Sequence, residues 1–342
     1  MKAVFIKEKS LVEVRDVPVP SLSAGDVLVK MKACGICGTD VEKFLGVHLT
    51  PPKLGHEVSG IVEKIGSDAV GELRVGDRVF VHHHVPCYTC HYCRRGDHTM
   101  CEMFSKTNLD PCGLAEYFRV PRYNVERGAV LKLPSDVDFD EATLIEPMAC
   151  CLRGLNKVKI EKGDDVLVIG AGPTGLIITG LLRLFGAGSI ISSEVSDHRL
   201  EAAGRMGAKI LVNPSRENLL DKVYEATDGR GVDLAVVAVG AGKLIEAAAD
   251  CVRKGGEVLM FGAPPKGELF TYEASKLFIR EVSLIPSYST TEVETNVALR
   301  LLEAKQLNLK WLISHRFKLS QASEALKVAS EGRETLKVIV NP

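Results

Sequence analysis

A strand, a glycine turn and a helix in succession constrain the fold of this chain more than any other stretch of its sequence. Residues 165–169 (DVLVI) form an apolar run of strand length, and a helical stretch at 176–185 follows the glycines of residues 170–175. Continuous apolar strands are buried on both faces, which is typical of parallel sheets covered by helices. The stretch therefore predicts an α/β domain.

The spacing of these glycines predicts a dinucleotide-binding site. Gly170 permits a tight turn, Gly172 lets the backbone approach a pyrophosphate, and Gly175 allows the helix to pack closely on the strand. Pro173 and Thr174 fall in the first turn of the helix, where proline is favoured and where unpaired N–H groups would face the phosphates. The glycine pattern alone is weak evidence, and the flanking strand and helix strengthen it.

A carboxylate at the end of the next strand indicates which dinucleotide is bound. The apolar stretch 189–193 ends at Glu194, about 20 residues after the turn, where an acidic side chain hydrogen-bonds the adenosine ribose. Because a 2′-phosphate would meet like charge there, Glu194 favours NAD. Arg199 would bind a 2′-phosphate or simply begin a helix, so NADP stays open.

The alternation of strands and helices continues and predicts a doubly wound parallel sheet. Val239 and Gly240 follow one predicted strand, and Phe261 and Gly262 lie at the end of another. Ligands bind at the carboxyl ends of such strands, so these residues are predicted to line the cofactor cleft. Small residues needed for tight turns explain them equally well. Further strands are predicted at residues 209–212, 232–238 and 256–262.

A run of cysteines predicts a structural zinc site. Cys87, Cys90, Cys93 and Cys101 follow a C-x2-C-x2-C-x7-C spacing in a polar loop. Four thiolates saturate a tetrahedral zinc ion and leave no position open for chemistry, so such an ion fastens a loop that lacks its own core. Four unrelated thiols or an iron–sulfur cluster remain as alternatives.

A second group offers metal ligands with a position left open. Cys37, His56 and Glu57 supply a thiolate, an imidazole and a carboxylate, a set that can hold a catalytic zinc ion. Three consecutive histidines at 82–84 are expected at a strand end, where neighbouring side chains point to alternating faces and do not converge on one ion. One of them could line the active cleft.

Short alternating strands dominate the remainder of the chain. Residues 1–33, 58–62 and 76–81 read as strands broken by turns, which predicts a compact antiparallel barrel. The mixed pattern after residue 291 resembles this first part. We therefore expect residues 1–148 and 291–342 to form one β-rich domain, with a nucleotide-binding domain of residues 149–290 inserted.

The composition limits which binding partners and which cellular compartment are expected. The formal charge of −1 provides no field that would attract nucleic acid or an anionic membrane, so small molecules and copies of the same chain are the expected partners. No secretory segment or membrane span is visible. Ten cysteines in a chain of this size then read as metal ligands and buried thiols, and the expected location is the cytoplasm.

Four motifs in this order resemble the zinc-containing medium-chain dehydrogenase/reductase superfamily over nearly the whole chain. They are residues 34–40 (CGICGTD), residues 55–57 (GHE), the four-cysteine loop and the turn at 170–175. The pairing of Glu57 with Glu146-Pro147 resembles the sorbitol and threonine dehydrogenase branch. The resemblance implies a GroES-like catalytic domain, a Rossmann NAD-binding domain and a homo-oligomer, either a tetramer or a dimer. It also implies that Glu146 approaches the catalytic zinc directly or through water.

The resemblance further implies a proton relay and leaves several candidates for its final proton acceptor. Zinc would act as a Lewis acid on the substrate oxygen, hydride would pass to the nicotinamide, and Thr39 would pass the proton on. Relatives often carry histidine where this chain has Glu42, so Glu42, His48 or bulk water is the expected acceptor. Cys112 replaces a glycine that is usual in relatives. Candidates for the substrate pocket are Phe44, His48, Asn108 and Arg153.

The predicted reaction is oxidation of a secondary hydroxyl on a polyol or sugar-like substrate by NAD(P)⁺. L-Threonine is the nearest alternative because that branch shares the same motifs, and a vicinal diol or simple secondary alcohol comes next. A non-catalytic crystallin-like nucleotide-binding protein is a further alternative, from a different functional class. The complete ligand set argues against it, because such proteins tend to lose their metal ligands.

Overall fold

The computed structural model describes residues 1–47, 52–68, 71–332 and 334–342, so His48 lies outside the described residues. Contacts divide the chain into two compact units, Met1–Ala149 with Thr290–Pro342 and Cys150–Ser289. The boundaries expected from the sequence lie one residue from these. Within the described ranges, each helix is too short or too polar to cross a membrane.

The first part of the first unit consists of short strands joined by turns and short helices. The first two strands form a separate antiparallel pair. The strands are β1 (Lys2–Glu8), β2 (Leu11–Asp16), β3 (Val27–Gly35), β4 (Glu57–Ile65), β5 (Arg78–Val81), β6 (Tyr117–Val120) and β7 (Val130–Lys132).

The helices of this part are brief and occupy the connections between strands. The first of them follows the long strand β3, and Cys37, still extended at φ −88° and ψ 160°, directly precedes it. The helices are α1 (Gly38–Phe44), α2 (His91–Arg94), α3 (Glu102–Lys106), α4 (Arg122–Glu126), α5 (Phe139–Ala142) and α6 (Ile145–Leu155).

The second unit contains a parallel sheet in the order β10-β9-β8-β11-β12-β13, which confirms the predicted Rossmann fold. The strand order reverses between β8 and β11, and open sheets of this type bind ligands beside such a reversal. The strands are β8 (Asp165–Ile169), β9 (Ser189–Ser193), β10 (Ile210–Val212), β11 (Val232–Val237), β12 (Val252–Met260) and β13 (Ser283–Pro286).

Helices alternate with these strands, as the sequence predicts. Buried apolar residues of β8, β9 and β11 form the core of this unit together with residues of the helix before β12. The helices are α7 (Pro173–Phe185), α8 (Asp197–Met206), α9 (Leu219–Ala226), α10 (Gly242–Cys251) and α11 (Ala274–Arg280).

The last part of the chain returns to the first unit with α12 (Glu292–Glu303), β14 (Ile313–Lys318), α13 (Ala322–Glu331) and β15 (Lys337–Asn341). Strand β15 pairs antiparallel with β3 and extends the order β14-β15-β3-β4-β5-β7, with β6 also on β3.

The strands of residues 1–81 pair antiparallel, as expected, whereas one pair from the last part of the chain does not. β14 and β15 run parallel, because helix α13 lies between them in the sequence and returns the chain to the end of the sheet at which β14 begins. A crossover helix is what a parallel pair requires, whereas a tight turn would give an antiparallel one. The core depends on this helix, since Ala322, Ala325 and Leu326 are fully buried in the same apolar cluster as residues of β3 and β4.

Candidate active site and metal centres

One buried carboxylate holds together the two segments that carry the predicted catalytic zinc ligands. Cys37 precedes α1, and Asp40 Oδ2 accepts the backbone N–H of Cys37 at 3.1 Å. Asp40 Oδ1 accepts the backbone N–H of Gly55 at 2.9 Å and lies 3.9 Å from His56 Nδ1. An acidic residue at the third position of a helix commonly bonds back to the residue before the helix. Sequence reasoning gave Asp40 no role, although this spacing was visible.

Only glycine fits at residue 55, directly before the predicted histidine ligand. Gly55 has a φ of +83°, in the left-handed region. A Cβ there would lie 2.6 Å from the backbone nitrogen of Leu114 and 2.8 Å from Cys34 Sγ. The turn that directs His56 toward Cys37 therefore depends on this glycine.

The structure brings the three predicted ligands together. One ligand atom each from Cys37, His56 and Glu57 lies within 4.8 Å of the others. Glu57 begins β4 and pairs with Gly35 at the end of β3, which places it beside the Cys37 loop. Ligands of a tetrahedral zinc ion are about 3.3–3.8 Å apart, so a small closure accommodates the ion. The thiolate, imidazole and carboxylate fit zinc, and the set leaves a coordination position open.

A buried lysine from the far end of the chain completes this centre. Lys337 Nζ forms an ion pair with Glu57 and donates to the carbonyl oxygen of Ile36 at 3.0 Å. Ile36 and Lys337 are 301 residues apart in the sequence, and β15 brings them together beside β3. Sequence reasoning missed Lys337 because nothing local distinguishes it from other strand lysines.

The charges of this cluster shift the titration of its members. Burial would lower the pKa of His56, but the negative charges of Cys37 and Asp40 outweigh it and raise that pKa well above its usual value. Burial raises the pKa of Glu57, while Lys337 acts in the opposite direction. Burial would also lower the pKa of Lys337, and the carboxylate of Glu57 raises it instead. Removing any one of these charges therefore leaves another buried charge unpaired.

Glu146 lies in the first turn of α6 and is buried. Its negative charge acts on both His56 and Glu57, so it shares their electrostatic neighbourhood. Its carboxylate also forms a close group with His82 and His83, whose ligand atoms lie within 4.8 Å of one another and of Glu146. Direct ligation of the first zinc ion by Glu146 stays a prediction.

The expectation that the consecutive histidines cannot converge is wrong for His82 and His83. Strand β5 ends at Val81, so the alternation of a pleated strand does not apply to the residues that follow. The ring centroid of His83 lies 4.8 Å from that of His56. His84 donates through Nδ1 to the carbonyl oxygen of Thr107 at 2.6 Å, and burial lowers its pKa to about 4.

The predicted relay residues lie on α1. Thr39 is exposed and Glu42 is half-buried, three positions apart and therefore on neighbouring parts of one helix face. Their roles stay predictions. Phe44 on the same helix is a core residue of the first unit, so the structure places it away from solvent.

The other residues singled out from the sequence occupy ordinary structural positions. The exposed Asn108 accepts the backbone N–H of Leu109 through Oδ1 at 2.8 Å, and Arg153 is buried at the end of α6. Cys112 packs in a small core cluster, and burial raises its pKa to about 11. Its backbone has a negative φ, which explains why a residue other than glycine is accepted there.

The four-cysteine loop folds around its own thiols. The Sγ atoms of Cys87, Cys90, Cys93 and Cys101 lie within 4.8 Å of one another, and the loop packs Phe104 against them as a separate small core. The backbone N–H of Cys90 donates to Cys87 Sγ at 3.2 Å, and that of Cys87 donates to Cys101 Sγ at 3.3 Å. Such N–H donors stabilise thiolates, so the loop fits a tetrahedral metal ion.

The glycine turn of the second unit has the predicted geometry. Gly170 has a φ of +95°, and a Cβ there would lie 2.4 Å from a methyl carbon of Val239. A Cβ on Gly175 would lie 1.9 Å from the carbonyl oxygen of Gly170, so the helix could not pack as closely with another residue. Gly172 faces open space within 4 Å and precedes Pro173, the first residue of α7. A phosphate can therefore approach the start of the helix.

Glu194 is fixed at this turn by backbone donors. Its Oε2 accepts the N–H of Ala171 at 3.0 Å, and its Oε1 accepts the N–H groups of Val195 at 2.8 Å and Ser196 at 3.1 Å. Arg199 lies in the first turn of α8, where its N–H donates to Ser196 Oγ at 3.4 Å. The carboxylate is thus rigidly placed at the carboxyl end of β9, where a ribose would lie.

The residues after β11 and β12 pack against each other. A Cβ on Gly240 would lie 1.9 Å from the carbonyl oxygen of Ala263, and one on Gly262 would lie 2.4 Å from the carbonyl carbon of Val239. Both glycines are thus required by close backbone packing. Val239 is partly exposed beside the glycine turn, and Phe261 packs near Gly154. Contact of these residues with a cofactor stays a prediction.

Comparisons with known proteins find family matches in both units of the chain. Residues 23–134 match the alcohol dehydrogenase GroES-like domain, and residues 173–304 match the zinc-binding dehydrogenase family. Sorbitol dehydrogenase from Bacillus subtilis is 29% identical over 100% of this chain and 97% of its own length. L-Threonine 3-dehydrogenase from Pyrococcus horikoshii is 34% identical over 96% of this chain and 94% of its own length.

Solved structures give the same result. Alcohol dehydrogenase TADH from Thermus sp. ATN1 is 30% identical, with a TM-score of 0.89 over 100% of this chain and 99% of that one. The likeness extends through both units and includes the elements that carry the two cysteine motifs and the glycine turn. The chain therefore belongs to the zinc-containing medium-chain dehydrogenase/reductase superfamily and is an NAD(P)-dependent alcohol dehydrogenase.

Proposed function

We propose that this enzyme oxidises a secondary hydroxyl of a polyol or sugar-like substrate, with NAD⁺ as the hydride acceptor. The observation that carries the proposal is the group of Cys37, His56 and Glu57, with the carboxylate of Glu146 close enough to act on their charges. The similarity to sorbitol dehydrogenase along the whole chain supports the polyol class. A purely nucleotide-binding role would not need this ligand set.

L-Threonine is the second candidate substrate. The threonine dehydrogenase from Pyrococcus horikoshii is 34% identical to this chain over the aligned residues, somewhat more than the 29% of the sorbitol enzyme. A vicinal diol or a simple secondary alcohol is the third. All of these substrates carry a secondary hydroxyl, so the same metal centre serves each, and the pocket decides between them.

The residues of the first unit would act by holding charge in fixed positions. Zinc bound by Cys37, His56 and Glu57 would supply Lewis acidity at the substrate oxygen, and NAD⁺ would accept hydride. The thiolate and the carboxylate balance a divalent ion, which makes a dry site less costly. Lys337 holds the carboxylate of Glu57, and Asp40 holds the backbone directly before His56 by accepting the N–H of Gly55. Thr39 would pass on the proton released by the substrate hydroxyl.

The rigid carboxylate of Glu194 supports NAD over NADP. Replacing Glu194 by Gln is expected to raise KM for NAD⁺ about tenfold, because a charged hydrogen bond to the ribose is weakened by about 1.4 kcal/mol. KM for NADP⁺ is expected to fall, because the repulsion of a 2′-phosphate is removed. Steady-state kinetics with both cofactors measures this change.

Glu201→Gln is the matched control, since Glu201 is an exposed carboxylate on α8 of the same unit. It should leave both KM values within about twofold. If Glu194→Gln left the ratio of KM for NAD⁺ to KM for NADP⁺ unchanged, this would contradict contact of Glu194 with the cofactor.

The proton is proposed to leave through Thr39 to Glu42. Replacing Glu42 by Gln is expected to lower kcat for alcohol oxidation about tenfold or more and to shift its pH profile, because a general base is lost. The measurement is kcat as a function of pH. Glu63→Gln, a change at an exposed carboxylate of β4, should keep the original profile. A Glu42→Gln profile that overlays the unsubstituted one would exclude Glu42 as the acceptor.

A homo-oligomer, either a tetramer or a dimer, is proposed from the apolar surface of the second unit. Leu269 and Phe278 are about as exposed as their side chains can be, at 84% and 85%, and Ile279 beside Phe278 is 74% exposed. Exposed apolar groups of this size commonly mark an interface.

A cytoplasmic location is also proposed. None of the ten cysteines, all within the described residues, forms a disulfide, which supports this location.

A substrate panel tests the proposed function. The purified enzyme would be given NAD⁺ or NADP⁺ with sorbitol, xylitol, L-threonine, 2,3-butanediol or 2-propanol, and reduced cofactor would be followed. We expect the highest kcat/KM with a polyol and NAD⁺. Oxidation of L-threonine alone would replace the polyol assignment, and absence of turnover with every pair would contradict a dehydrogenase of secondary alcohols.

A further inference from the structure

The buried histidine His82 is held in the manner of a metal ligand. Its Nδ1 lies 2.7 Å from Glu292 Oε1, and the other oxygen of Glu292 accepts the hydroxyl of Tyr88. Since a carboxylate can only accept, Nδ1 of His82 carries the proton and Nε2 presents a lone pair. Metal-binding histidines usually donate their second ring nitrogen to a carboxylate in this way.

The lone pair of His82 has no hydrogen-bond partner in the part of the chain that the structure describes. Nε2 is buried and accepts no hydrogen bond, and Nδ1 of His83 is likewise buried without a partner. Both side chains are more than nine-tenths buried, His82 at 0% exposure and His83 at 8%. Buried polar atoms without partners are costly and rare, so two adjacent ones call for a ligand that pairs with them.

The backbone around these histidines is fixed before any ligand binds. The N–H of His82 donates to the carbonyl oxygen of Ala129 at 2.8 Å, and the side chain of Asn124 donates to the carbonyl oxygen of His83 at 3.0 Å. His84 is anchored to Thr107 through its own ring. The two imidazoles are therefore presented by a rigid segment, as a binding site requires.

A carboxylate completes the group. The ligand atoms of His82, His83 and Glu146 lie within 4.8 Å of one another, and all three residues are buried. Two imidazoles and one carboxylate are a known donor set for zinc, with a further position left for water. This set contains no thiolate, unlike the Cys37 group and the four-cysteine loop.

We propose that His82, His83 and Glu146 form an additional site for a divalent transition metal ion such as zinc, beside the Cys37, His56 and Glu57 group. The two groups are neighbours, since the ring centroids of His56 and His83 are 4.8 Å apart. The charge of Glu146 also acts on His56 and Glu57 of that group. The proposal concerns metal binding and does not depend on which substrate the enzyme oxidises.

The first test counts the metal. The full chain would be saturated with Zn²⁺, freed of excess by gel filtration and analysed by mass spectrometry of its metal content. The unsubstituted protein is expected to retain about three equivalents per chain, one for each donor group. His82→Asn is expected to retain about two, because the amide keeps a donor toward Glu292 while Nε2 is lost.

His84→Gln is the matched control. His84 directly follows the proposed ligands, but its Nδ1 is occupied by the Thr107 carbonyl oxygen. It should retain about three equivalents, as the unsubstituted protein does. Glu292→Gln should weaken binding of the third equivalent about 10- to 100-fold, because the positioning carboxylate is lost.

A second test separates the additional site by its spectrum. Co²⁺ in the two cysteine-containing groups gives thiolate-to-metal charge-transfer absorption, whereas a site of two imidazoles and a carboxylate adds only weak visible bands. A third equivalent of Co²⁺ should add visible absorption without further charge transfer. That increment should be missing in His82→Asn.

Two results would overturn the proposal. One is an unsubstituted protein that saturates at two equivalents, and the other is a third equivalent that His82→Asn binds as tightly as before. Circular dichroism shows whether His82→Asn folds. If it does not, the metal content of His83→Asn, compared with that of the unsubstituted protein, tests the proposal instead. Failure of the proposed function would show as absent turnover, which these metal counts do not measure.

Discussion

Replacing Cys37 by Ser should lower kcat/KM for alcohol oxidation by at least about 1000-fold and remove one equivalent of zinc per chain. Cys37 is the thiolate of the open metal group, and its loss leaves an imidazole and a carboxylate that hold zinc weakly. The fall in kcat/KM should appear with every substrate of the panel, because each alcohol is activated by the same metal ion. Steady-state kinetics and metal analysis of the same preparation measure both effects.

Cys34→Ala provides the control for this change. Cys34 is also a buried thiol at the end of β3, but its Sγ donates to the carbonyl oxygen of Gly35 at 3.6 Å and it lies outside the metal groups of the described residues. It should keep its zinc and most of its turnover, with a modest fall in thermal midpoint from the small void. Equal activity of Cys37→Ser and the unsubstituted enzyme would show that the catalytic centre lies elsewhere.

Replacing Cys90 by Ser should remove a different equivalent of zinc and unfold the loop around it. The loop of residues 87–106 has little core besides its thiols and Phe104, so the metal supplies much of its stability. Trypsin cleavage after the exposed Arg94 and Arg95 should accelerate at least about tenfold, since the loop opens more often. Mass spectrometry of the fragments over time measures the rate.

The matched control is Cys251→Ser, a buried thiol of the second unit that belongs to no metal group of the described residues. It should leave the cleavage rate after Arg94 and Arg95 unchanged. A Cys90→Ser protein with full metal content and the original cleavage rate would contradict a structural zinc ion in this loop.

These two centres differ in how well the sequence predicts them. The cysteines of the loop lie within 15 residues, so their spacing alone predicts their convergence. The glycine turn is equally local, and the contacts that a Cβ would make at Gly170 and Gly175 explain its pattern. Local motifs of this kind depend only on residues close in the sequence, so they are predictable without knowledge of the tertiary fold.

Two contacts that support the catalytic group join distant segments and were not predictable, although the local bond of Asp40 to Cys37 was visible in the spacing. Lys337 reaches Glu57 only because β15 is added beside β3, and that register is set by tertiary packing. Asp40 joins the Cys37 and Gly55 segments, which are separate in the sequence. The parallel pairing of β14 with β15 likewise follows from the helix between them.

The expectation for the histidines was wrong because it depended on where a strand ends. The alternation rule is sound for a strand, but β5 ends at Val81, one residue before His82. His82 and His83 therefore converge with Glu146, against the expectation from the sequence. The carboxylate that orients His82 comes from Glu292, more than half the chain away, so no local pattern could reveal it.

The most direct test of the central claim is removal and return of the metal. The enzyme would be dialysed against a chelator, zinc would be titrated back, and reduced cofactor would be followed with the best alcohol of the panel. We predict that turnover is lost with chelation, returns with zinc in the unsubstituted enzyme, and does not return in Cys37→Ser. An undiminished rate in chelated protein whose loss of zinc is verified would contradict a zinc-dependent alcohol dehydrogenase centred on Cys37, His56 and Glu57.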